Sequence, residues 1–324
     1  MERAASGDVI VIGSGVIGLT TAVVLAETGR RVRVWTREPA EATTSAVAGA
    51  LWWPYRIEPE GLVRGWALRS LSVYRELAAR PGETGVRMVE GVLGGSRLDA
   101  EDPLTSRVPG LRAATDREYP GPGLWARLPL IDMPVFLRGL RARLLAAGGG
   151  IETRTVTDVA EAPAPTVVNC TGLGARELVG DASLRPVRGQ LVVVRNPGVD
   201  TWLVASDPAT GTTSYLFPQP GNRLVLGGTA EDDAWSLTPD PRTAEEIVRR
   251  CAGLCPEVAG ARVLGHLVGL RPGRATVRLE HEKLPDGRTV VHNYGHGGAG
   301  VTVAWGCALE AAGLATGRHR ATSD

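Results

Sequence analysis

The hydrophobic pattern opens with an unbroken apolar, β-branched run at residues 8–12, "DVIVI". Apolar character without alternation is what a strand covered on both faces of a parallel sheet requires. "GSGVIG" follows at 13–18, then Leu19, Ala22, Val23, Leu25 and Ala26 recur with helical spacing until Gly29, and "RVRVW" at 31–35 returns to a strand pattern. The segment predicts a β-α-β unit. Residues 62–79 predict an amphipathic helix with Val63, Trp66, Tyr74 and Leu77 near one face, and a second helix is predicted at 134–147, just ahead of a glycine run. Between them "VRMVEGVL" (86–93) and "LWARLPLI" (124–131) read as strands.

"TVVNCTG" at 166–172 is another buried-strand pattern closed by a glycine turn. The pattern then changes. "RGQLVVV", "TWLVAS", "TTSYLFP", "NRLVLGGT" and "ARVLGHLVGLRP" follow in quick succession with one helix, 243–254, among them, which predicts a mostly antiparallel sheet distinct from the first. "TVVHNYG" (289–295) resumes the buried-strand pattern and feeds a final apolar helix beginning near Val301. The predicted architecture is α/β. One unit with a parallel sheet is assembled from residues 1–56, 150–185 and 286–324, and a mostly antiparallel unit from 57–149 and 186–285 is interleaved with it.

The turn "GSGVIG" satisfies G-x-G-x-x-G with Gly13, Gly15 and Gly18, directly after a strand and at the start of a helix. The first glycine allows the tight turn, the second lets the backbone approach a pyrophosphate, and the third brings helix and strand together. Glu38, twenty residues after Gly18, is placed to accept from a ribose hydroxyl. Arg37 stands beside it, and either could occupy the strand tip; with Arg37 there, a 2′-phosphate could also be met. Glycines serving close packing alone are the alternative. A second glycine-lined helix start, "HNYGHGGAGVTVAWGCALEAA" (292–312), suggests one long cofactor clamped at two places. Helix N-termini favour negative charge, and a reduced flavin carries it.

Composition narrows the class. The chain has 324 residues, 43% of them hydrophobic, enough for one large domain or two interlocked ones. A net charge of +1 gives no electrostatic reason to expect a nucleic acid or an anionic membrane. Cys170, Cys251, Cys255 and Cys307 form no close-set framework, and no run of about 18 apolar residues is evident. "MERAASGD" lacks the apolar core of a secretory signal and "ATSD" is no peroxisomal signal, so the cytoplasm is expected.

Other motifs carry less. His292 and His296 are four apart without further ligands, so no metal is expected. Cys251 and Cys255 read as core residues on one helix face, and "NCT" (169–171) is a glycosylation pattern at a buried strand end. Arg271 lies within an apolar strand and needs an acidic partner, either an internal one such as Glu231 or Asp232, or a ligand carboxylate that its planar fork would hold. Arg274 and Arg278 read as solvated strand residues. Trp52 and Trp53 could wall a pocket or pack in the core.

Seven stretches together resemble the D-amino-acid oxidase family along essentially the whole chain: "VIVIGSGVIGLTTAVVLAE", "TTSAVAGALWWPY" (43–55), "VVNCTGLGA", "RGQ" (188–190), "LGGT", "VGLRP…VRLE" (268–280) and the 292–312 segment. The resemblance implies a Rossmann-like FAD-binding domain and a separate substrate sheet. It implies that Gly13, Gly15, Val16, Ile17 and Gly18 hold the pyrophosphate of FAD, that Arg37 and Glu38 meet the adenosine, and that Thr171 flanks the adenine end. Thr43, Thr44, Ser45, Ala48, Gly49 and Leu51 would line the flavin and ribityl portion, and Gly298, Gly300, Val301 and Thr302 the pyrimidine edge. Arg271 and Tyr215 would bind the substrate carboxylate, and the Gly298 carbonyl the amine.

The implied reaction is hydride transfer from a neutral or hydrophobic D-amino acid to flavin, with molecular oxygen as second substrate and 2-oxo acid, ammonia and hydrogen peroxide as products. A homodimer is compatible with the resemblance. Mammalian members carry a second tyrosine on a lid where this chain has "GTTS", and yeast members another where it has Ala230. A more open pocket mouth is therefore expected.

Overall fold

The computed structural model describes residues 8–98, 106–207 and 209–317; the sequence expectations that rest on "MERAAS" and "ATSD" lie outside them. Its strands are β1 (Asp8–Ile12), β2 (Arg31–Thr36), β3 (Val86–Gly94), β4 (Arg112–Ala113), β5 (Gly123–Ile131), β6 (Gly150–Thr153), β7 (Thr166–Asn169) and β8 (Arg185–Arg195). There follow β9 (Trp202–Ser206), β10 (Thr213–Gln219), β11 (Arg223–Gly227), β12 (Glu231–Asp232), β13 (Val263–Gly273), β14 (Arg278–Lys283) and β15 (Thr289–Tyr294). The long helices are α1 (Val16–Glu27), α2 (Glu60–Leu77), α3 (Met133–Ala146), α4 (Pro241–Leu254) and α5 (Gly300–Thr316).

Two sheets result, as the change of pattern near residue 185 implies. The first has six strands in the order β14-β15-β7-β1-β2-β6, parallel except where β14 turns back on β15. Val9 to Ile12 and Val290 to Tyr294 are buried along their length, as continuous apolar runs in a doubly covered sheet should be. The second has nine strands, antiparallel apart from the β3–β9 pair, with β13 running along β8. β14 precedes the expected return at residue 286 yet lies in the first sheet.

The helices of residues 57–149 pack on the first unit while their strands join the second sheet. α2 crosses α5 closely. The Gly306 N–H donates to Ser70 Oγ at 3.0 Å, the Tyr74 hydroxyl to the Val301 carbonyl at 2.7 Å, and the Trp66 indole to Glu310 at 2.6 Å. Residues Gly297–Thr316 are by length and composition apolar enough to cross a membrane, contrary to the sequence expectation, but 67% of their 18-residue apolar window is buried inside the protein. Its apolarity serves the core between α1 and α2.

Strand order decides where the site falls. β15, β7, β1 and β2 are adjacent and parallel, so their C-terminal ends form one edge of the sheet. That edge carries the Gly13 turn, Cys170–Thr171, Arg37–Glu38 and the Gly295–Gly300 turn. Open parallel sheets bind ligands there.

A Cβ at Gly306 would lie within the Trp66 backbone. Overpacking costs about 1–3 kcal/mol and the helix propensity of Ala returns about 1. With the added Cβ 2.3 Å from backbone atoms the upper end of that cost applies, so Gly306→Ala should lower stability by roughly 2 kcal/mol in denaturant unfolding; an unchanged midpoint would show that α2 and α5 are not held this closely.

Candidate active site

Gly13 has φ +112°, and a Cβ there would sit 2.5 Å from the Cys170 carbonyl oxygen, so both backbone and space demand glycine. Gly18 packs against the Gly13 backbone. It packs beneath the turn and not on the cavity wall, bringing α1 against β1 as the third glycine of the motif is expected to do. Gly13, Gly15, Val16 and Ile17 do line it. The Val16 amide is already engaged, donating to Ser45 Oγ at 2.9 Å.

Neither α1 nor α5 is capped by the side chain of its own N-cap residue or has an acidic residue in its first turn. Apart from the Val16 amide that Ser45 takes, both positive ends are left to a ligand. They open on one cavity of about 1260 Å³, larger than the 300–1,000 Å³ or so of an ordinary small-molecule site.

Where β2 ends the cavity is lined by Arg37 and Glu38, and where β7 ends by Thr171. Arg37 and Glu38 both follow the last residue of β2, with their side chains paired at 3.2 Å, while the Glu38 carbonyl accepts from Ser14 Oγ at 3.1 Å and Thr36 Oγ1 at 2.6 Å. The Thr171 hydroxyl donates to Asn169 Oδ1 at 2.7 Å, an Asn169 that is fully buried and no glycosylation acceptor. Arg154 stacks 4.1 Å over the Trp35 ring at the same end, a contact that no spacing in the sequence announces.

Along the middle run Thr43, Thr44, Ser45, Ala48, Gly49 and Leu51. The Thr43 hydroxyl donates to the Ala40 carbonyl and the Thr44 hydroxyl to the Leu270 carbonyl at 3.0 Å, fastening this segment to β13. At the far end stand Gly298, Gly300, Val301 and Thr302. Thr302 Oγ1 donates to the Trp53 carbonyl at 2.9 Å, so Trp53 is held at the cavity while Trp52 is fully buried in the core. His296 lines the cavity too; its Nε2 is buried without a partner, and burial pushes its pKa down to about 3.

The cavity also takes in Tyr215 and Arg271, which lie on β10 and β13 of the second sheet. Arg271 Nη1 donates to the Thr229 carbonyl at 2.9 Å, and among the described residues no carboxylate pairs with it. Glu231 pairs instead with Arg188 at 2.7 Å. A Cβ at Gly189 would collide with the Arg271 guanidinium, so the glycine of "RGQ" leaves that group its room. Tyr215 stacks on Phe217 at 4.4 Å, and burial pushes its hydroxyl up to about 12 against the opposing pull of the Arg271 guanidinium. A Cβ at Gly298 would meet the Tyr55 ring at 3.1 Å and Arg271 Cδ at 3.5 Å, so Gly298, Tyr55 and Arg271 converge.

Arg274 and Arg278 are half-buried and paired. Arg274 pairs with Asp181 at 3.1 Å and Arg278 donates to the Tyr294 hydroxyl at 2.8 Å, because both reach back to the end of β15. Cys251 is buried in α4, but Cys255 lies past its end, beside Glu257. His292 contacts Glu282 at 3.1 Å, and no group of three or more metal-ligating side chains occurs among the described residues.

His296 tests this geometry. Its folded pKa of about 3 lies below the ordinary 6.5, so the unfolded chain takes up the proton first. The contribution is present above about pH 6.5 and is lost as pH falls toward 3, by up to about 1.4 kcal/mol per pH unit. Unfolding at pH 6.5 and 4.5 should therefore show a smaller loss for His296→Gln than for the unchanged protein; equal losses would place the imidazole in water.

Comparison with known proteins agrees with this arrangement. The family model described as FAD dependent oxidoreductase (DAO) matches residues 8–314. The chain is 72% identical over 311 residues to a D-amino-acid oxidase of Streptomyces coelicolor, covering 96% of this chain and 97% of that one. It is 50% identical over 313 residues to a D-amino-acid oxidase of Rubrobacter xylanophilus, covering 94% and 95%. A glycine oxidase from Geobacillus kaustophilus, 20% identical, shares the fold with a TM-score of 0.80 over 98% of this chain and 97% of that one. A glycine turn on an uncapped α1, a second on an uncapped α5, and a cavity long enough to join them fit FAD, and the chain belongs to the DAO family of FAD-dependent oxidoreductases.

Proposed function

We propose that the protein oxidatively deaminates neutral and hydrophobic D-amino acids to 2-oxo acids and ammonia, with molecular oxygen reduced to hydrogen peroxide. The observation that carries this is Arg271: a guanidinium with no carboxylate of its own, beside the Tyr215 hydroxyl and next to Gly298. Such a group is stable in place when a ligand supplies the missing anion. The D configuration is supported by the activities named for the two relatives at 72% and 50% identity. The free thiols of all four cysteines favour a reducing compartment such as the cytoplasm.

The residues divide the work by position. Ser14 to Ile17 at the α1 terminus would hold the pyrophosphate of FAD, with Arg37, Glu38 and Thr171 toward the adenosine and Gly298 to Thr302 toward the flavin. When bound, FAD supplies the acceptor for the substrate's α-hydrogen and passes the electron pair to oxygen.

Arg271 fixes the carboxylate by paired N–H bonds, and Tyr215 adds a hydroxyl donor that stays protonated up to a pH of about 12. The Gly298 carbonyl would accept from the amine, aligning the Cα–H bond. Orientation of this kind supplies most of what the step needs, because no proton must be taken from carbon by a base. Loss of hydride leaves an imino acid, which water converts to the 2-oxo acid and ammonia.

A peroxide assay over D- and L-amino acids and glycine tests the assignment. Release should be greatest with neutral and hydrophobic D-amino acids; activity confined to glycine or to L-isomers overturns it. Arg271→Ala should keep its yellow cofactor, read from flavin absorbance, and raise the substrate KM about a hundredfold, the equivalent of roughly 3 kcal/mol. Unchanged affinity would remove Arg271 from the carboxylate site.

A further inference from the structure

Arg274 stands three residues beyond Arg271, just past the end of β13, and its side chain crosses to the end of β15. Its guanidinium is held on two sides: Nε pairs with Asp181 Oδ2 at 3.1 Å and Nη1 donates to the Thr276 carbonyl at 2.7 Å. The same carboxylate oxygen accepts from the Tyr294 hydroxyl at 2.9 Å, and that hydroxyl accepts from Arg278 Nη1 at 2.8 Å. Tyr294, the last residue of β15, is buried, and the Asp181 side chain is 9% exposed. Burial pushes the Asp181 carboxyl up, but bonds from Ser183 and Tyr294 outweigh it and hold it down to about 2, so it stays charged in neutral solution. Asp181 follows β7 and precedes β8, so three separate segments meet on one carboxylate.

The stem of Arg274 makes a second contact. Gly295 has φ +84°, and a Cβ there would sit 2.9 Å from Arg274 Cδ and 3.0 Å from its Cβ, so the turn that follows β15 is seated directly on this side chain. Arg271 lies three residues before one partner of that contact, and Gly298 three residues after the other. Arg271 is fixed within the second sheet, opposite Val187 of β8, whereas Gly298 follows a strand of the first. The contact of Arg274 with Gly295, locked by Asp181 and Tyr294, therefore bridges the two sheets next to the groups that would take the substrate carboxylate and amine. Arg274 itself stands behind the cavity wall, which Pro272 and Tyr294 form at this point.

We infer that Arg274 is a positioning residue for the oxidation: anchored by Asp181, it sets the gap between the carboxylate clamp at Arg271 and the turn at Gly298, and with it the alignment of the Cα–H bond to the flavin. The inference rests on the proposed D-amino-acid oxidation. Rate and binding respond differently to that gap. A displacement of about 1 Å in a reacting geometry can cost about a hundredfold in rate. Arg271 and Tyr215 both belong to the second sheet and move together, so they keep their hold on the carboxylate when the gap changes.

The test is anaerobic reduction of the FAD-loaded protein, followed as loss of yellow absorbance, with the D-amino acid that releases most peroxide in the assay above. Arg274→Met should slow reduction at saturating substrate about tenfold, and Asp181→Asn, which keeps an acceptor for Tyr294 but drops the ion pair, about threefold. The half-saturating concentration should change less than about twofold in either. Arg274→Lys should recover most of the rate, and the double variant should be no slower than Arg274→Met, because both residues act through one link. Thermal unfolding of the same samples separates this from a merely stabilising pair, which would lower the midpoint and leave the rate of the folded, yellow protein alone. That result, or a loss of affinity as large as the loss of rate, overturns the positioning role; should Arg274→Met not fold, Asp181→Asn and Arg274→Lys decide it. A peroxide assay in which no D-amino acid is active overturns the oxidase reading and this role with it.

Discussion

The structure depends on two helix N-termini whose own N-cap residues offer no side chain, on the same edge of one parallel sheet. A helix end carries unsatisfied N–H groups and a partial positive charge, and most helices neutralise both with a Ser, Thr, Asp or Asn at the N-cap. At α1 only the Val16 amide is met, by Ser45 from another segment, and α5 has no cap bond. β1 and β15 are separated by β7 alone, so polarity that the chain declines to satisfy at two remote points accumulates over a single cavity. A ligand with phosphates toward one end and a ring that gains electrons at the other satisfies both.

The second sheet is subordinate to that edge. It brings Tyr215 and Arg271 to the α5 end, and its glycines are spaced to let them in: Gly189 under the guanidinium, Gly49, Gly227 and Gly228 around the tyrosine ring. Polar contacts then join the parts in series, from Gln190 through Thr229 to Arg271. Side chains held in such a series reorient little when a substrate arrives, and preorganisation is where this kind of catalysis gains most.

Elements with strong periodicity could be read directly. β1, α1, the change of sheet after residue 185 and the α5 start all follow from patterns that local burial imposes on neighbouring residues. Gly13 and Gly15 were legible because the turn itself needs them, whereas the placement of Gly18 beneath the turn depends on how tightly α1 lies on β1. Tyr55, His296, Ser14 and Arg154 gave no signal of their own, since they reach the cavity only through the order in which strands pack. Arg274 misled for the same reason, since its partner Asp181 lies on another element, and Arg278 did so in part, reaching Tyr294 across the sheet as well as Glu280 on its own strand. Trp52 and Trp53 differ by one residue and point to opposite fates, which alternation along an extended chain produces.

One small bond has a larger reach than its length suggests. The Thr44 hydroxyl, on the segment that runs beside the cofactor, donates to the carbonyl of Leu270, the residue before Arg271. Whatever orders the first also steadies the arm that grips the second, so the oxidant's seat and the fuel's clamp are mechanically one part. Through that bond the bed of the flavin and the strand that presents Arg271 share one backbone support.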